Sequence, residues 1–311
     1  MTRRLHTPLT YTVIAMVGLA VVSAAGLVVD DRVLAGAPIW LKPLKFSVSI
    51  AVYAATLTWL ISLVDRGART ARRLGTVIAV ALLAEMVVIV GQVLRGRQSH
   101  FNVATPLDSA LFSAMGLTIA LVWVATAWLG VLVLMQRLDD RATVWALRLA
   151  LPIALAGIGF GFLMTRPTAA QLETMDDTPP TLVGAHSVGV VDGGAGLPLV
   201  NWSTEGGDLR VPHFVGMHAL QALPLLALGL LLLSRRIPRL ADVRVRTRLL
   251  IAAGTGYAGL TALVLWQALR GQSVADPDAL TLGAGAGVAV TVLVLSAWAL
   301  RTRPARTLVE A

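Results

Sequence analysis

Apolar residues recur along this chain in eight blocks, at 10–29, 44–64, 75–94, 110–135, 145–164, 213–233, 248–269 and 280–300. Each is close to the roughly 20 residues that a helix needs to cross a bilayer. The pattern predicts an all-α integral membrane protein of about eight transmembrane helices, with the lipid bilayer as its partner and solvent.

The polar residues between the blocks alternate in charge. The N-terminus, 65–74, 136–144, 234–247 and the C-terminus, with Arg148 and Arg248 just inside their helices, carry 18 Arg against five acids. The opposite connections, helix mouths included, carry eight basic residues against eleven acids. The positive-inside rule then places both termini in the cytoplasm and the chain in a plasma membrane. Arg3-Arg4, the first apolar run and Ser23-Ala24-Ala25-Gly26 also fit a secretory signal. The length of that run, and the partner that an internal duplication gives it, favour a retained helix.

The duplication is read from two helix ends. Gln92-Val-Leu-Arg-Gly-Arg-Gln-Ser99 closes the third block and Gln267-Ala-Leu-Arg-Gly-Gln-Ser273 the seventh. Each precedes a short loop with Pro and Asp, then a helix that ends in Ala-Trp. Asp108 to Asp278 and Trp128 to Trp298 share one offset, 170 residues. The expected organisation is two parallel four-helix repeats, 1–144 and 145–311, related by an axis along the membrane normal. The first outer loop of the pair is longer, and its extra stretch carries His100-Phe101-Asn102.

Composition agrees with the pattern: 56% of residues are hydrophobic and only 14% are charged. The net charge of +9 sits in short Arg blocks between apolar runs, with no basic stripe interleaved with aromatics, so no nucleic-acid partner is expected. Of the 26 basic residues only Lys42 and Lys45 are lysine; with abundant Ala, Val and Gly, this bias fits a bacterial chain from a GC-rich genome. Without cysteine there are no disulfides, thiolate nucleophiles or iron–sulfur clusters. No P-loop, dinucleotide-binding glycine pattern or Gly-x-Ser-x-Gly elbow occurs in a credible context, and no cofactor is called for. Nothing in these patterns sets an oligomeric state.

Candidate chemistry concentrates at one membrane face. Gly206–Gln221 puts Asp208, Arg210, His213, His218 and Gln221 at the mouth of the sixth block, with Asp208 as a helix cap and Pro212 in the first turn. At 100° per residue His213, Gln221 and His218 share one arc, and a polar arc on a spanning helix turns to protein or water. Lys42, Lys45, Ser49, Tyr53 and Thr56 form a second stripe, on the second helix. Snorkelling lysines would explain it; so would an anion site built from Lys42, Lys45, Arg95, Arg97 and Arg210. Glu85 lies well inside the third block, where an ionised carboxylate must be paired, protonated or functional, and it is the candidate for proton coupling.

The connection 165–211 is long and rich in Gly, Pro, Asp and Thr, with a turn at Asp176–Pro180 and flexible coil at Val191–Gly196. It is expected as a disordered segment or a lid. The leading expectation is an outward-facing polar site, sharing one pocket among Lys42, Lys45, Arg95, Arg97, His100, Asn102, Asp208, Arg210, His213, His218 and Gln221. It would take a small anionic or amphiphilic ligand and carry it across by proton coupling. One rival is a membrane-embedded hydrolase or transferase with His100, His213 and His218 around a metal. The spacing of five between the last two opposes it, because a helical zinc pair needs four. The other rival is a non-catalytic subunit of a complex.

Overall fold

The computed structural model describes residues 5–175 and 179–301. Among these, eight helices are long and apolar enough to cross a membrane. Their cores are Thr7–Val29, Leu41–Ser62, Ala68–Leu94, Pro106–Leu134, Arg141–Gly159 continued by Gly161–Met164, Arg210–Met217 continued by Ala219–Leu233, Val243–Leu269 and Ala279–Leu300. They match the eight apolar blocks, each starting a few residues earlier because a polar or prolyl start lies outside the apolar run. Thr105, Asp140 and Asp278 cap the fourth, fifth and eighth helices by accepting backbone N–H groups.

The fifth and sixth helices are interrupted, which apolar content alone does not reveal. The fifth breaks at Phe160, beyond an internal Pro152, and the sixth at His218, ahead of an internal Pro224. Proline removes one ladder hydrogen bond, and a break leaves carbonyls that need other donors. At the breaks side chains take such carbonyls: Tyr257 donates to Val215 O at 2.7 Å, and His213 Nδ1 lies 2.8 Å from Gly157 O.

Neighbours follow one succession in both halves. The first helix packs on the second and third, the second on the third, and the third on the fourth. The fifth packs in the same way on the sixth and seventh, the sixth on the seventh, and the seventh on the eighth. The larger of two apolar cores crosses between the first four and last four helices, with Leu57, Leu82, Leu129, Leu147, Leu220 and Leu250 all buried in it. The outer helices bury little. In the eighth only Thr281 and Ala299 are buried, while Leu280, Leu282, Val290, Leu293, Val294 and Trp298 are exposed. So continuous an apolar face is one that a helix able to cross a membrane presents.

The two matched helix ends have the same backbone. Gly96 and Gly271 both take positive φ, and Arg97 N and Gln272 N both donate back to the carbonyl of the preceding Gln, Gln92 or Gln267. The aspartates at the shared offset differ in role. Thr105 caps the fourth helix with Asp108 in its first turn, whereas Asp278 is itself the cap of the eighth and Thr281 takes the third position.

The 165–211 connection is folded wherever it is described, so it is not a disordered segment; Asp176–Thr178, within the expected turn, lie outside the described residues. A helix at Ala169–Thr174 carries a Thr168/Gln171 capping box. Ser187–Val188 pairs antiparallel with Gly207–Asp208, and Asn102 bridges Leu182. Val191–Gly196, expected as free coil, is held by Asp192, which accepts the backbone N–H groups of His186 and Ser187. A small hairpin, Val33–Leu34 with Ala37–Pro38, lies between the first two helices and has no counterpart in the sequence reading.

Candidate functional site

The folded connection roofs a cavity of about 920 Å³. Lys42, Lys45 and Phe46 line it from the second helix, Ile89 and Val93 from the third, Arg97 to Phe101 from the loop that follows, and His186, Asp192 and Arg210 from the roof. Its walls are therefore largely apolar, with cations set into them. This is the end of the bundle that carries the long connection.

The cations differ in what holds them. Arg97 donates to Asp108 Oδ2 at 3.0 Å and Arg95 to Asp108 Oδ1 at 2.8 Å, with Gln92 and Thr105 completing the shell of that buried carboxylate. Arg210 forks onto Asp208, itself buried, which also accepts Ser203 N at 2.8 Å. Those three guanidiniums already have their anions. Asp208 is accordingly an ion-pair partner, not the helix cap expected; Leu209 occupies the cap position. Lys42 and Lys45 are different: among the described residues neither has a carboxylate within ion-pair distance. Lys42 Nζ lies 3.1 Å from His100 Nδ1, and Lys45 Nζ donates to Val200 O at 2.9 Å. Both residues are half-buried, and each ammonium keeps donors to spare.

His100 sits between Phe46 and Phe101, edge to face with each. Burial pushes its pKa well below the usual histidine value, and Lys42, His186 and His213 push the same way. It is a neutral acceptor for the lysine. His186 is the residue that sequence reading passed over. Its Nδ1 meets Asp192 Oδ2 at 2.8 Å, and its ring packs edge-on against Phe101. Burial holds Asp192 up, but its bonds to His186 and Ser187 outweigh that and keep it well below the ordinary carboxylate range. A His and an Asp six residues apart in Gly-rich irregular chain have no periodicity to mark them.

The expected single pocket is thus only partly assembled. Lys42, Lys45, Arg97, His100 and Arg210 line the cavity; Arg95, Asn102, Asp208, His213, His218 and Gln221 do not. Asn102 is spent on the loop, bonding Gln98 O and Ala104 N. The sixth-helix arc divides because the helix breaks at His218. His213 turns to the fifth helix, its Nδ1 2.8 Å from Gly157 O. His218 Nδ1 bonds Gln221 Oε1 at 3.1 Å, and Gln221 Nε2 donates to Thr56 on the second helix at 3.0 Å. His218 Nε2 is buried without a partner. The metal alternative loses its geometry, since no group of three or more His, Asp or Glu among the described residues is placed to hold an ion.

Glu85 is buried, and its Oε1 makes no hydrogen bond. Ile89, one turn nearer the loop end, lines the cavity, so the Glu85 backbone lies roughly 6 Å below that of Ile89 along the helix. The interhelical hydrogen bond that would make Glu85 merely structural is absent from Oε1. No family model, curated protein or solved structure matches the chain.

Proposed function

We propose that this chain is a multi-pass plasma-membrane protein that binds a small anionic or amphiphilic ligand in the roofed cavity and moves it across the membrane with a proton. One observation carries the reading: Lys42 and Lys45 face a large cavity with no carboxylate within ion-pair distance, and Asp192 in the same lining is already engaged by His186. Two ammonium groups held in such a place without a paired counter-charge favour an anion received there. Apolar neighbours such as Phe46, Ile89 and Val93 suit the non-polar part of an amphiphile. Glu85, beneath the lining with an unbonded oxygen, supports the proton-coupled part.

In this reading the roofed end is outside and both termini are cytoplasmic, supported by the Arg-rich connections at the opposite end. The likeness of the two helix ends and the shared succession of neighbours support two parallel repeats. Reporter fusions at Arg69, Asp140 and Arg239 should report cytoplasm, and those at Gly193 and Pro277 outside. The functional test is calorimetric binding of hexyl phosphate to the chain in nanodiscs. Each charge-assisted bond lost should cost about tenfold or more in affinity, so Lys42→Met with Lys45→Met should weaken binding beyond that. Equal affinity in the folded double variant would refute the anion site.

A further inference from the structure

The lysines account for negative charge in the cavity but not for which anion enters it, because an ammonium group donates hydrogen bonds and accepts none. The roof supplies an acceptor. Asp192 takes the His186 ring at Nδ1, 2.8 Å away, and the backbone N–H groups of His186 and Ser187 at 2.9 and 2.7 Å. A carboxylate that bonds Nδ1 fixes the proton there, which leaves the lone pair on Nε2. Among the described residues Nε2 makes no hydrogen bond, although His186 lines the cavity. The ring cannot turn away, since Phe101 packs against it with centroids 4.8 Å apart. The two backbone bonds already close this turn, so the imidazole adds chiefly a fixed acceptor beside Lys42 and Arg210. Burial lowers the His186 pKa; the Asp192 bond opposes this, and Arg210 and Lys42 lower it further, so the ring is neutral near pH 7.

We propose that the cavity is specific for a phosphate group that still carries a proton, either inorganic phosphate or a singly protonated phosphate monoester. Its charged oxygens take Lys42 and Lys45, and its P–OH donates to His186 Nε2. This rests on the anion reading above and narrows its ligand class. Sulfate, sulfate esters and carboxylates present only acceptors at neutral pH, so each would set an oxygen lone pair against the nitrogen lone pair. A site built to accept from an OH rejects an analogue that lacks one, here by about tenfold or more.

The test uses the full chain in lipid nanodiscs at pH 6.5, with inorganic phosphate and sulfate titrated calorimetrically. Phosphate should bind at least about tenfold more tightly than sulfate. His186→Phe, which keeps an aromatic ring against Phe101 and removes the acceptor, should bring the two affinities together by weakening phosphate alone. Retained sulfate binding then reports an intact cavity. Equal affinities in the unaltered protein overturn the proposal whether or not the variant folds, and so does a phosphate preference that survives His186→Phe. If neither anion binds, the anion reading itself fails, a distinguishable result. Hexyl phosphate and hexyl sulfate form a second arm. The phosphate ester should again win, and an ester tighter than inorganic phosphate assigns the source to an amphiphile or lipid headgroup. An ester no tighter assigns it to free phosphate.

Discussion

Gly157 and Gly216 meet backbone to backbone where the fifth and sixth helices cross. A Cβ on Gly216 would stand 2.6 Å from the Gly157 Cα, and one on Gly157 would fall onto Gly216 and the Met217 nitrogen. The approach brings His213 to the Gly157 carbonyl and so draws the upper sixth helix toward the fifth.

Gly157→Ala should therefore destabilise the fold, by about 1–3 kcal/mol on the usual scale for overpacking, because backbone has no rotamer to yield. Gly229→Ala, which meets open space, should not. Thermal midpoints in detergent compare them; equal midpoints would show that the helices can separate without cost.

Asp108→Asn should lower the midpoint more than Asp278→Asn. Asp108 is fully covered and holds Arg95, Arg97, Gln92 and Thr105 at once, whereas Asp278 is 39% exposed and, among the described basic residues, pairs with Arg270 alone. Losing the shared anion leaves two guanidiniums facing each other. A smaller loss at Asp108 would contradict this reading.

Glu85→Gln should leave the protein folded while uncoupling ligand uptake from a proton gradient in proteoliposomes. An amide keeps the shape and cannot release a proton. Glu85→Leu should hold or raise stability, since an unbonded buried oxygen is removed. Uptake that remains proton-driven in Glu85→Gln would exclude this carboxyl.

Acid should loosen the roof in two steps. His100 and His186 have folded-state pKa values below the free value of about 6.5, so below that pH the unfolded chain binds protons that the folded chain refuses. Their contribution is complete above about pH 6.5 and declines as pH falls below it. Asp192, depressed by its bonds, adds a second loss only below about pH 4. Hydrogen exchange over 184–195, corrected for intrinsic rates, should quicken from pH 7.5 to 5.5. Exchange that stays flat across this interval would sink the assignment of neutral buried histidines.

The lysine stripe was legible because Lys42 and Lys45 lie on an unbroken helix, where residue spacing converts directly to angle. His213, His218 and Gln221 were misjudged by the same arithmetic, since the break at His218 sends them to different neighbours. Arg95 and Arg97 read as free cations until the turn at Gly96 folded Asp108 back onto them. His186 and Asp192 offered no signal, because their pairing depends on an irregular turn.

By itself the sequence determined the number of long helices and their approximate extent, since both follow from local apolar length; the one cap it named, Asp208, is engaged by Arg210 instead. It also marked the second-helix lysines and the Glu85 carboxylate inside an apolar run, which are costly wherever the chain buries them. Tertiary structure decided which charges were already neutralised and which faced a cavity, because pairing is a matter of distances between segments remote in sequence. It decided, too, that the long connection is a roof: its backbone groups find partners at Lys45 on the second helix and Asn102 after the third, which only the assembled bundle brings to it.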